Sequence, residues 1–226
     1  MSELLRVPVL VLACVMLTSV LAQGEIIEDF EDGNMVEYSI VGTVNATVNT
    51  AAAHDGNYGL DFAGHSSTEG WVYRDDAQVH LQQGDTFTLW ARHTTAGTRT
   101  YCGFGATAGG CYSVILSENT GELVIQYNAN YGYLTLAASP QSWGVQWYFI
   151  EVMWDVGGGI TANLYDSDGT SFLNTVSTVH NAITSGGIAF RSWDSGHSAY
   201  LDTVSRAGGS TAVESATWGA IKTLFE

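Results

Sequence analysis

Short runs in which apolar and polar residues alternate recur from Glu25 to Ala207, separated by Gly, Asn, Asp and Ser. A period of two places successive side chains on opposite faces of a β-strand; a helix repeats every 3.6 residues and cannot use it. About fourteen runs qualify as strands. The clearest are 38–49, 57–63, 70–80, 85–93, 99–105, 112–118, 122–128, 133–138, 146–156, 160–166, 172–179, 186–193 and 199–206. Between them, Glu118–Gly121 and Asp166–Gly169 read as tight turns closed by a left-handed glycine. Beyond residue 22 the chain has one proline, Pro140. Many short strands at regular spacing predict an all-β sandwich or barrel.

The run 146–156 shows the sidedness best. Tyr148, Ile150, Val152, Trp154 and Val156 share one face and form the expected core side. Trp147, Phe149, Glu151, Met153 and Asp155 share the other. Apolar bulk mixed with two acids predicts a face that lines a groove or lies under a second layer.

The two ends of the chain differ from this middle. Arg6 precedes an apolar run from Val7 to Val20 that ends in Val20-Leu21-Ala22, the pattern of an export signal cleaved after Ala22. The run is short for a membrane span of about 20 residues. Residues 1–22 are therefore read as a signal peptide, and the protein as secreted or held at the cell surface. Residues 23–206 form the β-sandwich, and 207–212 (Ala-Gly-Gly-Ser-Thr-Ala) a linker. In 213–226, Trp218, Ile221, Leu224 and Phe225 fall on one helical stripe, with Ser215 or Thr217 as N-cap. So short a helix is marginal alone. It is expected to dock on its own sandwich or on export or surface machinery.

Charge narrows the partners. The chain carries 23 acidic against 7 basic residues, a net charge of −16, and Lys222 is the only lysine. Phosphate backbones and anionic membranes are bound by clustered Lys and Arg, so neither nucleic acid nor a membrane surface is expected. A cation or a glycan fits better. After the leader two cysteines remain, Cys102 and Cys111, with the turn-like Ala106–Gly110 between them. In an exported chain such a pair is expected to form a disulfide, with a stabilisation of about 2–3 kcal/mol.

The acids gather at the strand ends. Glu28, Asp29, Glu31 and Asp32 crowd the first strand, Asp202 lies in the last, and Asp55-Gly56-Asn57 is a turn between them. Calcium takes six to eight oxygen ligands in loose geometry, and strands from opposite chain ends could supply them. Solvated edge acids that discourage edge pairing are the alternative.

Taken in order, Asp29-Phe-Glu-Asp-Gly33, His54-Asp-Gly-Asn-Tyr-Gly-Leu60, Gly84-Asp-Thr-Phe-Thr-Leu-Trp-Ala-Arg92, Trp147–Asp155, Leu164–Gly169, Gly186–Arg191 and Ala199–Val204 resemble the concanavalin A-like lectin/glucanase superfamily over residues 25–206. Laminin-G-like and carbohydrate-binding members are the nearest in pattern. The resemblance implies a two-sheet antiparallel jelly-roll sandwich with a glycan-binding face. It also implies a structural calcium, which would map to Asp29 or Glu31, Gly56 and Asp202. A galactose-binding-like sandwich, which shares the terminal acids, is the second fold considered. The ending Trp218-Gly-Ala-Ile-Lys-Thr-Leu-Phe225 is similar to short tails of exported bacterial proteins.

Enzymatic members of that superfamily place two carboxylates around one glycosidic bond. Here Glu151 and Asp155 are the nearest pair. Four residues along a strand separate them by about 13 Å, against about 5 Å for a retaining hydrolase. They are weak catalytic candidates, and a non-catalytic role is the first expectation. For glycan contact, aromatic faces stack on sugar rings while amides, acids and arginine bind hydroxyls. Trp71, Tyr127, Tyr131, Trp147 and Trp193 are the aromatic candidates, with Tyr73, Tyr133 and Trp143 nearby. Arg191 and Asp194 supply the polar edge, together with Gln126, Asn128 and Asn130. Trp193, between Arg191 and Asp194, is the leading single residue.

Overall fold

The computed structural model describes residues 24–63, 70–193 and 198–207. The expected leader, all of the linker after Ala207, and the expected tail helix lie outside these residues. The chain opens with β1 (Glu25–Glu28), β2 (Ser39–Val41), β3 (Asn45–Asn49), β4 (Gly59–Ala63), β5 (Trp71–Arg74) and the short β6 (Leu81–Gln82). The middle holds β7 (Thr86–His93), β8 (Arg99–Thr107), β9 (Gly110–Ser117), β10 (Glu122–Ala129) and β11 (Leu134–Pro140). It closes with β12 (Trp147–Trp154), β13 (Gly159–Tyr165), β14 (Phe172–Val179), β15 (Ser185–Trp193) and β16 (Ser198–Arg206). The only helical element among the described residues is a 3-10 turn at Thr50–Ala52, capped by the Asn49 side chain.

These strands form two antiparallel sheets packed face to face, as the alternation predicts. The first runs β14-β13-β12-β7-β16-β4-β3, with β1 also on β16. The second runs β11-β10-β9-β8-β15-β5-β2, with β6 also on β15. Between them lies a core that includes Phe30, Phe62, Phe87, Phe104, Tyr112, Ile150, Trp154 and Phe190. The alternation in β12 is direct: Tyr148, Ile150, Val152 and Trp154 are buried, and Trp147, Phe149, Glu151 and Met153 are half-buried. Val156, expected on the core face, is 83% exposed because β12 ends at Trp154 and the chain turns. The expected strand 38–49 is two, broken at Gly42, whose φ of 76° is a left-handed conformation.

The chain ends pair as neighbours, Glu25 opposite Arg206 and Glu28 opposite Val204. A buried ion pair joins this closure to the second sheet. Arg74 Nη1 on β5 donates to Glu28 Oε2 on β1 at 2.9 Å, and Tyr38 Oη donates to the same oxygen at 2.8 Å. Glu28 Oε1 accepts the Phe30 amide at 2.9 Å.

The expected disulfide is not formed: Cys102 and Cys111 are free, buried thiols. β8 and β9 do form a hairpin, but Cys102 pairs with Val114, and its turn lies beyond Thr107. A Cys102–Cys111 pair would need the turn centred between Ala106 and Thr107. Cys102 faces the inter-sheet core, whereas Cys111 belongs to a separate apolar cluster on the outer face of the same sheet. Burial pushes both thiols up from their ordinary range, so each stays protonated and inert.

Candidate functional site: the outer face of the second sheet

Strand register places Arg191, Trp193, Trp71, Tyr73 and Gln126, all expected ligand residues, on this face. Arg191 on β15 pairs with Tyr101 on β8, which pairs with Ile115 and then Val124. Two residues along, Ala189 pairs with Gly103, then Ser113 and Gln126. Because strand side chains alternate, these two rows point the same way. Trp193 lies in the next row, opposite Arg99. Trp71 and Tyr73 flank from β5. The middle row is small by necessity: a Cβ at Gly103 would sit 2.7 Å from the Ala189 carbonyl oxygen and 2.8 Å from its Cβ. Ala189, Gly103 and Ser113 thus floor a trough between larger walls.

The β10–β11 connection folds into that trough. Asn130 and Tyr131 take successive left-handed conformations, φ 48° and 61°, unusual for residues with a Cβ. The bend is held by the Asn130 amide on the Gly109 carbonyl (2.7 Å) and by Asn128 Nδ2 on the Gly132 carbonyl (2.7 Å). It lays the Tyr131 ring 5.4 Å from Trp71 and 5.7 Å from Tyr73, and the phenol donates to the Thr107 carbonyl at 2.7 Å. Burial pushes that phenol well above its ordinary pKa. A polar seam runs alongside, with Ser113 Oγ donating to Asn128 Oδ1 (2.6 Å) and Asn128 Nδ2 to Gln126 Oε1 (3.3 Å).

Arg191 is the unusual member. It is only 1% exposed, and its guanidinium lies 5.8 Å from the Trp71 ring, 5.0 Å from Tyr101 and 4.8 Å from Tyr133. Nη1 donates to the Tyr133 phenol oxygen, while the buried Nε has no hydrogen-bond partner. The Trp71 indole N–H is also buried without a partner. Arg74 and Arg206 are each paired with carboxylates; among the described residues none pairs with Arg191. A buried donor left without an acceptor costs about 1–3 kcal/mol, more when charged. Trp71, Tyr101 and Arg191 are themselves buried, so the rings that a ligand can reach on this face are the exposed Tyr133 and the half-buried Trp193, beside the unspent donors.

The remaining candidates lie elsewhere. Tyr127 packs on the inter-sheet core, its ring 5.6 Å from Tyr112 and 4.8 Å from His180. Trp147 sits on the outer face of the first sheet, 5.1 Å from His54, which stacks on Trp90 at 3.8 Å. Phe149, Tyr165 and Tyr200 extend that half-buried aromatic surface. Asp194 lies outside the described residues. Glu151 accepts from Asn163 Nδ2 (2.9 Å) and Tyr165 Oη (3.3 Å), and Asp155 stands past the end of β12 in an exposed turn. The catalytic pair is thus split between a strand face and a turn. Tyr101, Gly103, Ser113 and Arg99 were not singled out from sequence. Their alternation in 99–105 and 112–118 signals strands, but only the β15–β8 pairing brings them beside Arg191.

Asp29, Glu31, Gly56 and Asp202 do converge, beside a cleft of about 980 Å³ also lined by Ile26, Asp55, Thr88 and Thr203. The oxygens of Asp202 and Glu31 are engaged by N–H donors, and Asp29 Oδ1 accepts the Glu31 amide at 3.2 Å. Asp202 Oδ2 accepts the His54 and Asp55 amides at 2.6 and 2.9 Å, and Oδ1 accepts the Thr203 amide at 2.7 Å. Glu31 Oε1 accepts the Asn57 and Tyr58 amides at 2.7 and 2.8 Å, and Oε2 accepts Asn57 Nδ2 at 3.0 Å. Gly56 takes φ 67°, a left-handed conformation that favours glycine, and a Cβ there would also lie 2.4 Å from Glu31 Oε1. Donors aimed at these carboxylates occupy the positions that a calcium ion would take, so the set fits a loop clasp and does not fit a cation cage. Among the described residues no three His, Cys, Asp or Glu side chains are grouped to hold a metal ion.

No protein-family model and no curated protein matches the sequence. Among solved structures, the chain is similar to the carbohydrate-binding module CBM66 from Bacillus subtilis, with TM-score 0.57 and 11% identity over 77% of this chain and 98% of that one. It is also similar to a Bacillus subtilis protein of unknown function with a galectin-like fold, with TM-score 0.54 and 9% identity over 76% of this chain and 89% of that one. At these identities the likeness is one of fold, and the fold it shows is a lectin-like β-sandwich.

Proposed function

We propose that the protein is an exported, non-catalytic carbohydrate-binding module whose glycan site is the outer face of the second sheet. One observation carries this reading: the buried Trp71 and Arg191 stand together with an unpaired indole N–H and an unpaired guanidinium N–H, beside the exposed ring of Tyr133. Sugars present hydroxyl acceptors around an apolar ring face, which is the complement of that set. Likeness to a carbohydrate-binding module supports the reading at the level of fold. Export rests on the Arg6 to Ala22 pattern.

Affinity electrophoresis of the full chain through gels carrying neutral and acidic polysaccharides tests the proposal. At least one polysaccharide is expected to retard the protein, and Trp193→Ala is expected to weaken that retention tenfold or more. Free migration through every gel contradicts it. A second reading, an adhesive surface protein, draws on the half-buried aromatics Trp90, Trp147, Phe149, Tyr165 and Tyr200 of the first sheet. Free migration together with self-association that Trp147→Ala abolishes favours it.

A further inference from the structure

We infer that the glycan this face takes is acidic, and that Arg191 is the group that binds its carboxylate or sulfate. The inference rests on the glycan reading above and adds the charge of the ligand. Removing a guanidinium from water is costly unless an anion or a full set of acceptors replaces the water. Among the described residues Arg191, only 1% exposed, has neither: Nε is unpartnered, and the one acceptor they supply is the Tyr133 phenol oxygen on Nη1. Three rings at 4.8–5.8 Å recover part of the loss without using any N–H. A planar guanidinium matches the two oxygens of a carboxylate or a sulfate through paired N–H bonds, which a hydroxyl cannot reproduce.

The neighbours point the same way. Arg99, on the same face, lies 5.5 Å from the Trp193 ring, and its Nε donates to the neutral Asn119 side chain at 2.7 Å. Arg74 and Arg206 are instead neutralised by Glu28, Asp76 and Glu25. A chain of net charge −16 repels polyanions as a whole. Retention of an acidic polysaccharide would therefore have to come from a local site.

Access is through the β10–β11 connection. Tyr133 is 42% exposed, its ring lies 4.8 Å from the Arg191 guanidinium, and its phenol oxygen takes Nη1 where a ligand oxygen would bind. Displacing the Tyr133 phenol frees Nη1 for a ligand oxygen.

Two matched pairs of polymers test this with the full chain: polygalacturonate against its fully methyl-esterified form, and dextran sulfate against dextran. Wild type is expected to bind the acidic member of at least one pair tenfold or more tightly than its neutral counterpart. The pair that responds separates carboxylate from sulfate. Arg191→Gln should remove that preference, and Tyr133→Phe, which deletes the competing oxygen and keeps the ring, should increase it several-fold. A thermal melt checks that Arg191→Gln is folded; if it is not, Tyr133→Phe decides, and an unchanged preference overturns the inference. Equal binding within both pairs, or binding only to other neutral polysaccharides, overturns it and leaves the glycan reading standing. Binding to no polysaccharide removes both.

Discussion

His93 is fully buried, with the Trp143 and Tyr148 rings edge-on at 5.5 and 6.5 Å and Thr100 Oγ1 3.2 Å from Nδ1. Burial lowers its pKa from 6.5 to about 4. The unfolded chain takes up this proton near 6.5 and the folded chain only near 4, so the unfolded state binds more protons in between. Stability therefore falls as pH drops from 6.5 towards 4, by about 3 kcal/mol from this residue. Urea unfolding at pH 7 and pH 4.5 should show the loss, and His93→Gln should flatten it. An equal pH slope in the variant contradicts this assignment. At this scale the sequence was uneven. Arg191 and Trp193 were legible as a pair because polar and aromatic types adjoin at a strand end. Tyr127 was not, because a tyrosine on an alternating strand looks the same on either face. Its neighbour Gln126 faces outward and Tyr127 inward, and only the sheet-to-sheet packing decides which.

Among the elements, the β10–β11 connection has the clearest consequence. Tyr131 seals an outer cluster that includes Cys111, while Cys102 lies in the core on the other side of the same sheet. Tyr131→Ala should cost about 3–5 kcal/mol, as large aromatic truncations do. It should also open Cys111, but not Cys102, to N-ethylmaleimide. Mass spectrometry of the labelled peptides reads which thiol reacts, and equal labelling of both contradicts the two-faced arrangement. The Glu31 and Asp202 clasp leads to a second expectation: with N–H donors already on these carboxylates, adding calcium or a chelator should leave the melting temperature unchanged. A rise of several degrees with calcium would show that the loops rearrange around an ion. The hairpin of β8 and β9 was legible from Ala106–Gly110, but its register was not. Glycines mark that a turn occurs within a few residues, and a shift of one residue exchanges faces. Here the offset is three residues, an odd number: Cys102 lies opposite Val114 instead of Cys111, which separates the disulfide expected from spacing from the two thiols found.

The whole molecule is closed by its ends. β16 lies between β7 and β4 in the first sheet, β1 pairs with it, and Glu28 on β1 reaches Arg74 in the second sheet. Glu28→Ala removes one partner of a buried pair and leaves Tyr38 and the Phe30 amide without their acceptor. It should cost about 3–5 kcal/mol, which a urea denaturation curve would measure; a loss under 1 kcal/mol would show that the closure does not depend on it. The sandwich and the adjacency of its ends were legible because alternation and terminal acids are local signals. The proposed glycan face was legible only in part. Its floor of Ala189, Gly103 and Ser113 arises from strands distant in sequence, and the long-range pairing of β15 with β8 leaves no local trace. Hydrogen–deuterium exchange on the full chain, with and without a saturating polysaccharide, locates the site without perturbing it. The account predicts added protection in 99–117, 122–135 and 186–193. Protection confined to 147–165 on the first sheet, or to the loop 54–58, would contradict it.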